Sequence, residues 1–280
     1  MNKLKLRELL HHFLTEDIGE SDITTESIFS IYQHGEGHFL VKENGILSGT
    51  DIIIEGYRLF DPLIEVNLYK QDGDTINYGE IIGTASGPIA TLLTGERVIL
   101  NLLQRMSGIA TLTNQAVSIL NSKHTRICDT RKTTPGLRIL EKYAVTSGGG
   151  YNHRFGLYDG VMIKDNHIAY SGSITLAVKA VRERLGHMVK IEVETESKEA
   201  VQEAVEAGAD VIMFDNRTPE EVIEFIKLVP KSILTEASGG INLKNLIDYS
   251  HTGVDYISLG ILTHSAKSLD ISFNVMEKEE

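Results

Sequence analysis

The stretch from Lys190 to Leu262 decides the architecture. It reads KIEVET (190–195), SKEAVQEAVEAG (197–208), ADVIMFDN (209–216), TPEEVIEFIKLV (218–229), SILTEASGGI (232–241), NLKNLIDYSHTG (242–253) and VDYISLGIL (254–262). Apolar segments of strand length alternate with amphipathic segments of helix length. Each helical segment opens on a cap or first-turn signal: Ser197, Thr218 followed by Pro219, and Asn242. The strands are nearly all apolar, as expected where both faces of a sheet are covered. Strand alternating with helix implies parallel pairing through right-handed crossovers. A unit of a little over about twenty residues is short for a dinucleotide-binding half and suits a β/α barrel.

Working outward, TRICDTR (125–131) and GVMIKDNH (160–167) read as further strands of the same sheet, with LRILEKYAV (137–145) and ITLAVKAVRERL (174–185) as their helices. Before them, residues 95–120 read as a long helical region, broken or kinked near Ser107-Gly108. Residues 1–93 differ. A helix at Leu4–Leu14 precedes short strands around Gly37–Lys42, Asp51–Glu55, Ile64–Tyr69 and Glu80–Ser86, separated by turn residues such as Asp72-Gly73-Asp74. The expected fold class is α/β: an N-terminal α+β domain over 1–108, then a β/α barrel over 109–268.

The chain has 280 residues, 41% hydrophobic and 24% charged, which is ordinary globular composition and excludes disordered or collagen-like classes. No apolar run approaches the ~20 residues of a membrane helix. The first residues, MNKLKLRELLHHF, are amphipathic and carry no signal-peptide pattern. One cysteine, Cys128, excludes an internal disulfide and suits a reducing cytoplasm. The net charge of −12 (27 basic against 39 acidic residues) speaks against non-specific nucleic-acid binding. Against that background, Arg126 to Lys164 holds seven Lys/Arg and three acids, a local +4 that is either a solvated face or an anion site.

In such barrels the active groups sit at the C-terminal ends of the strands. Those ends carry Glu194, Asp215, Glu236 and Gly260, the acids spaced 21 and 21 residues apart. Converging carboxylates bind Mg²⁺ or ribose hydroxyls, and a single one is often only a cap. Ser238-Gly239-Gly240 and Ser258-Leu259-Gly260 are either ordinary turns or a phosphate cup after the last strands. The early strands carry Arg131-Lys132, His153-Arg154 and Lys164. Arg reads carboxylate and phosphate bidentately, and Lys offers a point charge. One mouth would then hold a cationic half and an acidic, phosphate-cup half. His153 and His167 are candidate acid/base groups or plain hydrogen-bond partners, and the histidines show no metal-ligand spacing.

The combination DTRKTTPGLRILEKYAV (129–145), GGGYNHRFGLYDGVMIKDNHI (148–168), IEVET (191–195), VIMFDN (211–216), EASGGI (236–241) and DYISLG (255–260) resembles the nicotinate-nucleotide pyrophosphorylase (carboxylating), or quinolinate phosphoribosyltransferase, family. The likeness extends to EDIGESDITT (16–25), TGERVILNLLQRMSGIAT (94–111) and THSAKSLDISF (263–273), and so covers essentially the whole chain. Ser21 stands where a Gly is common, and Lys42 in VKENG (41–45) where an Arg is common.

The resemblance implies a type II phosphoribosyltransferase of NAD biosynthesis with an incomplete β/α barrel of about seven strands. The seventh is expected around Val145–Gly149, and 269–280 is expected to return to the N-terminal sheet. It implies transfer of phosphoribosyl from phosphoribosyl pyrophosphate to quinolinate, with loss of CO2, aided by Mg²⁺. Arg131, His153, Arg154 and Lys164, with Arg97 from a second subunit, would hold the quinolinate carboxylates. Lys132 and Lys164 would lie near the pyrophosphate. Glu194 and Asp215 would hold the ribose hydroxyls and Mg²⁺, directly or through water. Ser238, Gly239, Gly240 and Gly260 would cradle the 5-phosphate. Lys132, Glu194 and Asp215 would carry the chemistry. It further implies a cytoplasmic homodimer with shared sites, leaving open whether dimers pair into hexamers. Rival readings are a molybdenum-transport-associated relative, an ATP-coupled nicotinate phosphoribosyltransferase, and a catalytically silent phosphate-sugar sensor. The intact DTRKTTPG, NHR and IKDNH segments argue against the first.

Overall fold

A computed structural model describes residues 1–30 and 32–275. In chain order the elements are α1 (Lys3–Ile18), α2 (Ile23–Ile28), β1 (His34–Val41), β2 (Gly45–Ile46), α3 (Thr50–Phe60), β3 (Glu65–Leu68), β4 (Thr75–Ile76), β5 (Ile81–Pro88) and α4 (Ile89–Leu120). There follow β6 (Arg126–Cys128), α5 (Arg138–Ser147), β7 (Val161–Ile163), α6 (Asp165–Ser171), α7 (Ile174–Arg184), β8 (Ile191–Thr195), α8 (Lys198–Glu206), β9 (Val211–Asp215) and α9 (Pro219–Phe225). The last are β10 (Leu234–Ser238), β11 (Tyr256–Ser258), α10 (Ile261–His264) and β12 (Ile271–Val275).

The chain forms two compact units. The first comprises Met1–Leu112, Pro135–Gly149 and the segment from Ala266 onward; the second comprises Thr113–Thr134 and Gly150–Ser265. Segment 135–149, expected within the barrel, thus groups with the first unit.

The first unit is built on an antiparallel sheet of order β12-β1-β5-β3. The C-terminal β12 does return to β1, pairing Phe39 with Phe273. Their rings lie 4.8 Å apart, and Gly37 leaves room for Phe273, since any Cβ there would meet its ring. Residues 276–280 of the expected returning segment lie outside the described residues. Two expectations fail here. Asp51–Glu55 is not a strand but the first turns of α3. Short apolar runs do not distinguish strand from helix, and here Asp72 decides: its Oδ1 accepts from the Gly49 and Thr50 N–H groups, both at 2.9 Å, and so caps the helix start. Nor is α4 broken at Ser107-Gly108. Gly108 is there for close approach, because the Lys267 carbonyl packs where its Cβ would be.

The second unit carries the parallel sheet, in the order β6-β11-β10-β9-β8-β7. The alternation read from 190–262 produces it. Ser197 accepts from the Ala200 N–H at 3.1 Å and starts α8, which buries Val201 and Ala204. Thr218 and Glu221 form a capping box, with Pro219 in the first turn, and start α9. Phe225 of α9 meets Phe214 of β9 edge-on, with ring centroids 5.9 Å apart.

The expected strand at Val145–Gly149 is instead the end of α5 and the turn after it. The seventh position is filled by one residue, Tyr151, bridged in parallel to Cys128. Its N–H donates to the Ile127 carbonyl at 2.8 Å, and its carbonyl accepts from Asp129 N–H at 3.1 Å. The helix expected over 242–253 shrinks to a 3₁₀ turn at Leu246–Tyr249. Asn245 and Asn242 accept from the backbone N–H groups of Asn242 and Lys244, at 2.8 and 3.0 Å, and these local bonds compete with a helix. Among the described residues, no helix is long and apolar enough to cross a membrane.

The Gly108 contact yields a test. Gly108→Ala should lower stability by about 1–3 kcal/mol, because helix or loop backbone must shift, even though Ala is the better helix former. Chemical denaturation showing an unchanged or raised midpoint would remove this account of the unbroken α4.

Candidate active site

A cavity of about 450 Å³ opens at the C-terminal ends of the parallel strands. Ten of the twelve expected residues line it: Arg131, Lys132, His153, Arg154, Lys164, Glu194, Asp215, Ser238, Gly239 and Gly240. Gly260 is not in its wall but lies beside it, with Lys132 Cδ 3.0 Å from where a Cβ would stand. Arg97 belongs to α4 in the first unit. Its side chain is 59% exposed, with Glu96 Oε1 at 3.7 Å.

The cations come from β6, the segment after Tyr151, and β7. Arg154 donates to the Gly160 carbonyl at 2.8 Å, while the buried Nε of Arg131 has no hydrogen-bond partner among the described residues. Burial and the neighbouring Arg131 charge hold Arg154 below its ordinary pKa, and Glu192 and Glu194 act the other way. Lys164 forms a short ion pair with Glu194. Burial raises the Glu194 carboxyl, as do Asp215 and Glu192, against the pull of Lys164.

On the opposite side, Ser238, Gly239 and Gly240 follow β10. Both glycines have positive φ, at 83° and 66°, which places their backbone where a side chain would be strained. Asn216 also has positive φ, 54°. It donates from Nδ2 to Asp215 Oδ2 at 2.7 Å and from its backbone to the Ser238 carbonyl at 2.9 Å. A Cβ on Gly239 would run into Asn216. Ser258 Oγ donates to Ser238 Oγ at 2.9 Å.

At the floor, Asp129 is fully buried and accepts from His153 N–H at 2.9 Å and from Asn152 Nδ2 at 2.6 Å. His153 Nδ1 accepts from Arg154 N–H at 2.8 Å, so the ring proton sits on Nε2, which donates to Glu192 Oε2 at 2.8 Å. Glu236 Oε2 lies 3.8 Å from the same nitrogen. His153, Glu192 and Glu236 are spaced as metal ligands would be. The tautomer, however, leaves His153 no lone pair for a metal at Nε2. Glu194 and Asp215 are the acids that could hold a hard cation, which would relieve their mutual repulsion.

The comparisons with known proteins agree with this geometry. Residues 22–107 match the model of the quinolinate phosphoribosyl transferase N-terminal domain, and 109–274 that of its C-terminal domain. The chain belongs to the quinolinate phosphoribosyl transferase family. It is 58% identical over 280 residues to a probable nicotinate-nucleotide pyrophosphorylase [carboxylating] of Bacillus subtilis, covering 100% of this chain and 96% of the relative. It is 42% identical to the one named likewise from Synechocystis, over 95% and 91% of the two chains. The crystal structure of NadC from Streptococcus pyogenes superposes with a TM-score of 0.95 at 39% identity, covering 99% of each chain.

Further lining residues are absent from the sequence-derived site: Thr130, Met162, Met213 and Asn216. Ser258, read only as part of a possible phosphate cup, also lines it, and Glu236 was placed among the mouth acids rather than on the floor. Asn216 was within reach, since it follows a strand-end Asp. The methionines gave no signal beyond strand hydrophobicity.

Glu236 is 3% exposed. Burial, then the Glu192 charge, push its carboxyl up to about 8. The folded state therefore favours the protonated form. Stability from this group is complete below the ordinary carboxylate range and is lost as pH rises toward and through 8. Glu236→Gln should remove that part of the decline between acidic and mildly alkaline pH. Parallel thermal-melt profiles of wild type and variant would argue against a protonated Glu236.

Proposed function

We propose that this protein transfers the phosphoribosyl group of phosphoribosyl pyrophosphate to quinolinate and releases CO2 and pyrophosphate, forming nicotinate mononucleotide. The observation that carries this reading is one cavity with Arg131, Arg154 and Lys164 on one side and Asp215 with the Ser238–Gly240 cup on the other. A planar dicarboxylate matches the first side, and a ribose with phosphates the second.

Arg131 and Arg154 hold the quinolinate carboxylates, with Lys164 at the edge. His153 shapes the floor of that side, its two nitrogens already engaged. Glu194 and Asp215 orient the ribose hydroxyls, and the positive-φ glycines, with Gly260 nearby, present backbone to the 5-phosphate. Lys132 faces the departing pyrophosphate. Mg²⁺ at Glu194 and Asp215 would supply charge neutralisation for the pyrophosphate. Pyrophosphate leaves the anomeric carbon as the pyridine nitrogen approaches, through an oxocarbenium-like state, and alignment of two bound substrates supplies much of the rate. The quaternised ring nitrogen then accepts the electron pair left by the departing 2-carboxylate. The setting is a reducing cytoplasm, consistent with a buried Cys128 outside any disulfide. Quinolinate-dependent formation of nicotinate mononucleotide, with equimolar CO2 and pyrophosphate, tests the reading directly.

Arg131→Ala should weaken quinolinate binding by about 2–5 kcal/mol, because a desolvated charge contact is lost, and should spare the fold. Titration calorimetry with unchanged quinolinate affinity would reassign the residue.

The functional unit is a homodimer in which Arg97 completes the partner's site. Its exposed position on α4 leaves it available to another chain. Arg97→Ala and Arg131→Ala dimers should each be inactive. In a random mixture of the two chains, about a quarter of the sites carry both native groups if sites are shared across a two-fold. Activity returning toward that fraction is the expected result. No recovery, with subunit exchange verified by mass, would place Arg97 in its own chain's site or in none.

A further inference from the structure

On the proposed reaction, loss of CO2 leaves an electron pair on ring carbon C2 that must be captured by a proton. The cavity wall offers few donors at neutral pH. Arginines do not give up protons, Lys132 lines the wall but on the proposed reading faces the pyrophosphate, and Lys164 is ion-paired to Glu194. His153 has no proton on Nδ1, and its Nε2–H is directed at Glu192. Asp215 accepts a hydrogen bond from Asn216.

Glu236 differs from all of these. It lines the cavity yet is almost fully buried. Among the described residues its Oε1 has no hydrogen-bond partner, and its Oε2 lies 4.0 Å from Cys128 Sγ. The groups that face it are Glu192 from β8, Cys128 from β6 and Asp129 just beyond it, Ser258 from β11, and His153. Burial and the acids Glu192 and Asp129 favour a proton on Glu236, against the pull of His153 and the Ser258 hydroxyl, and the net direction is upward.

We propose that Glu236 is the catalytic acid that protonates C2 after CO2 departs. The C2–carboxylate bond breaks and its electron pair stays on C2, stabilised by the adjacent ring nitrogen. CO2 leaves, the Glu236 O–H proton forms the new C2–H bond, and the resulting Glu236 carboxylate takes a proton from water before the next turnover. Until C2 is protonated it can recapture CO2, so withholding the proton slows net CO2 release. The step rests on the quinolinate reading above.

The test is a single-turnover experiment with phosphoribosyl pyrophosphate, Mg²⁺ and quinolinate labelled at the 2-carboxylate, reading pyrophosphate and CO2 separately. In Glu236→Gln, CO2 release should fall about 10²–10⁴-fold relative to pyrophosphate release, the usual reach of a general acid. The undecarboxylated mononucleotide should accumulate and be seen by mass. Equal losses in both steps, or no loss in either, overturn the assignment. If the Gln variant does not fold, the wild-type pH profile decides. The ratio of CO2 to pyrophosphate release should fall as pH rises from about 6 to about 9, because the acid form is required. A flat ratio rejects Glu236 as the donor. A wild type that releases neither product from quinolinate shows instead that the functional reading has failed, and this step fails with it.

Discussion

Everything in the mouth depends on holding three cations close together in a partly dry cavity. Arg131, Arg154 and Lys164 repel one another, and the lowered pKa of Arg154, from burial first and from Arg131 next, reports that cost. At an effective dielectric near 20, like charges about 4 Å apart cost about 4 kcal/mol. The strand register supplies the compensation. β7 and β8 pair Ile163 with Val193, so the next residues, Lys164 and Glu194, fall side by side and form the ion pair. Glu192, two residues deeper, favours the Arg154 charge while accepting from His153. Asp129 then fixes the backbone of His153. The cations are therefore positioned by carboxylates that the same parallel sheet places beneath and beside them.

The barrel was legible because its signal is local. Caps at Ser197 and Thr218, apolar runs and Gly208 mark elements whose type is decided within a dozen residues. The cationic and glycine-rich halves were legible because strand ends converge in any such barrel. What the sequence could not show was height. Glu194, Asp215 and Glu236 are equally spaced, which suggests one ring of acids. The register sets Glu194 and Glu236 both opposite Met213, two residues below Asp215. The steps are thus 19 (194 to 213) and 23 (213 to 236) residues rather than two of 21. Unequal loops absorb the difference, and spacing alone does not reveal loop length.

Two other misreadings share one cause: a distant partner overrode a local preference. Asp72 turned an apolar run into the start of α3. The Lys267 carbonyl turned an expected kink at Gly108 into a close packing point. At 242–253 the override was local instead, as asparagine side chains bonded the backbone that a helix would have used.

Partners, not height, explain how similar residues take different parts. Glu194 is raised by burial yet keeps Lys164 as a partner, so a positive charge stands against it. Glu236, at the same level two strands away, is raised by burial and then by Glu192, with His153 rather than a lysine as the opposing charge. Pairs of acids driven apart by their surroundings are the pattern by which one fold performs charge stabilisation and proton delivery at a single pH. Phosphoribosyl transfer needs the first, where charge develops on the leaving pyrophosphate. Decarboxylation needs the second, at a carbon on the other substrate. Separating the two by one intervening strand gives each acid its own partners: Lys164 opposes the rise of Glu194, while burial and Glu192 lead the rise of Glu236.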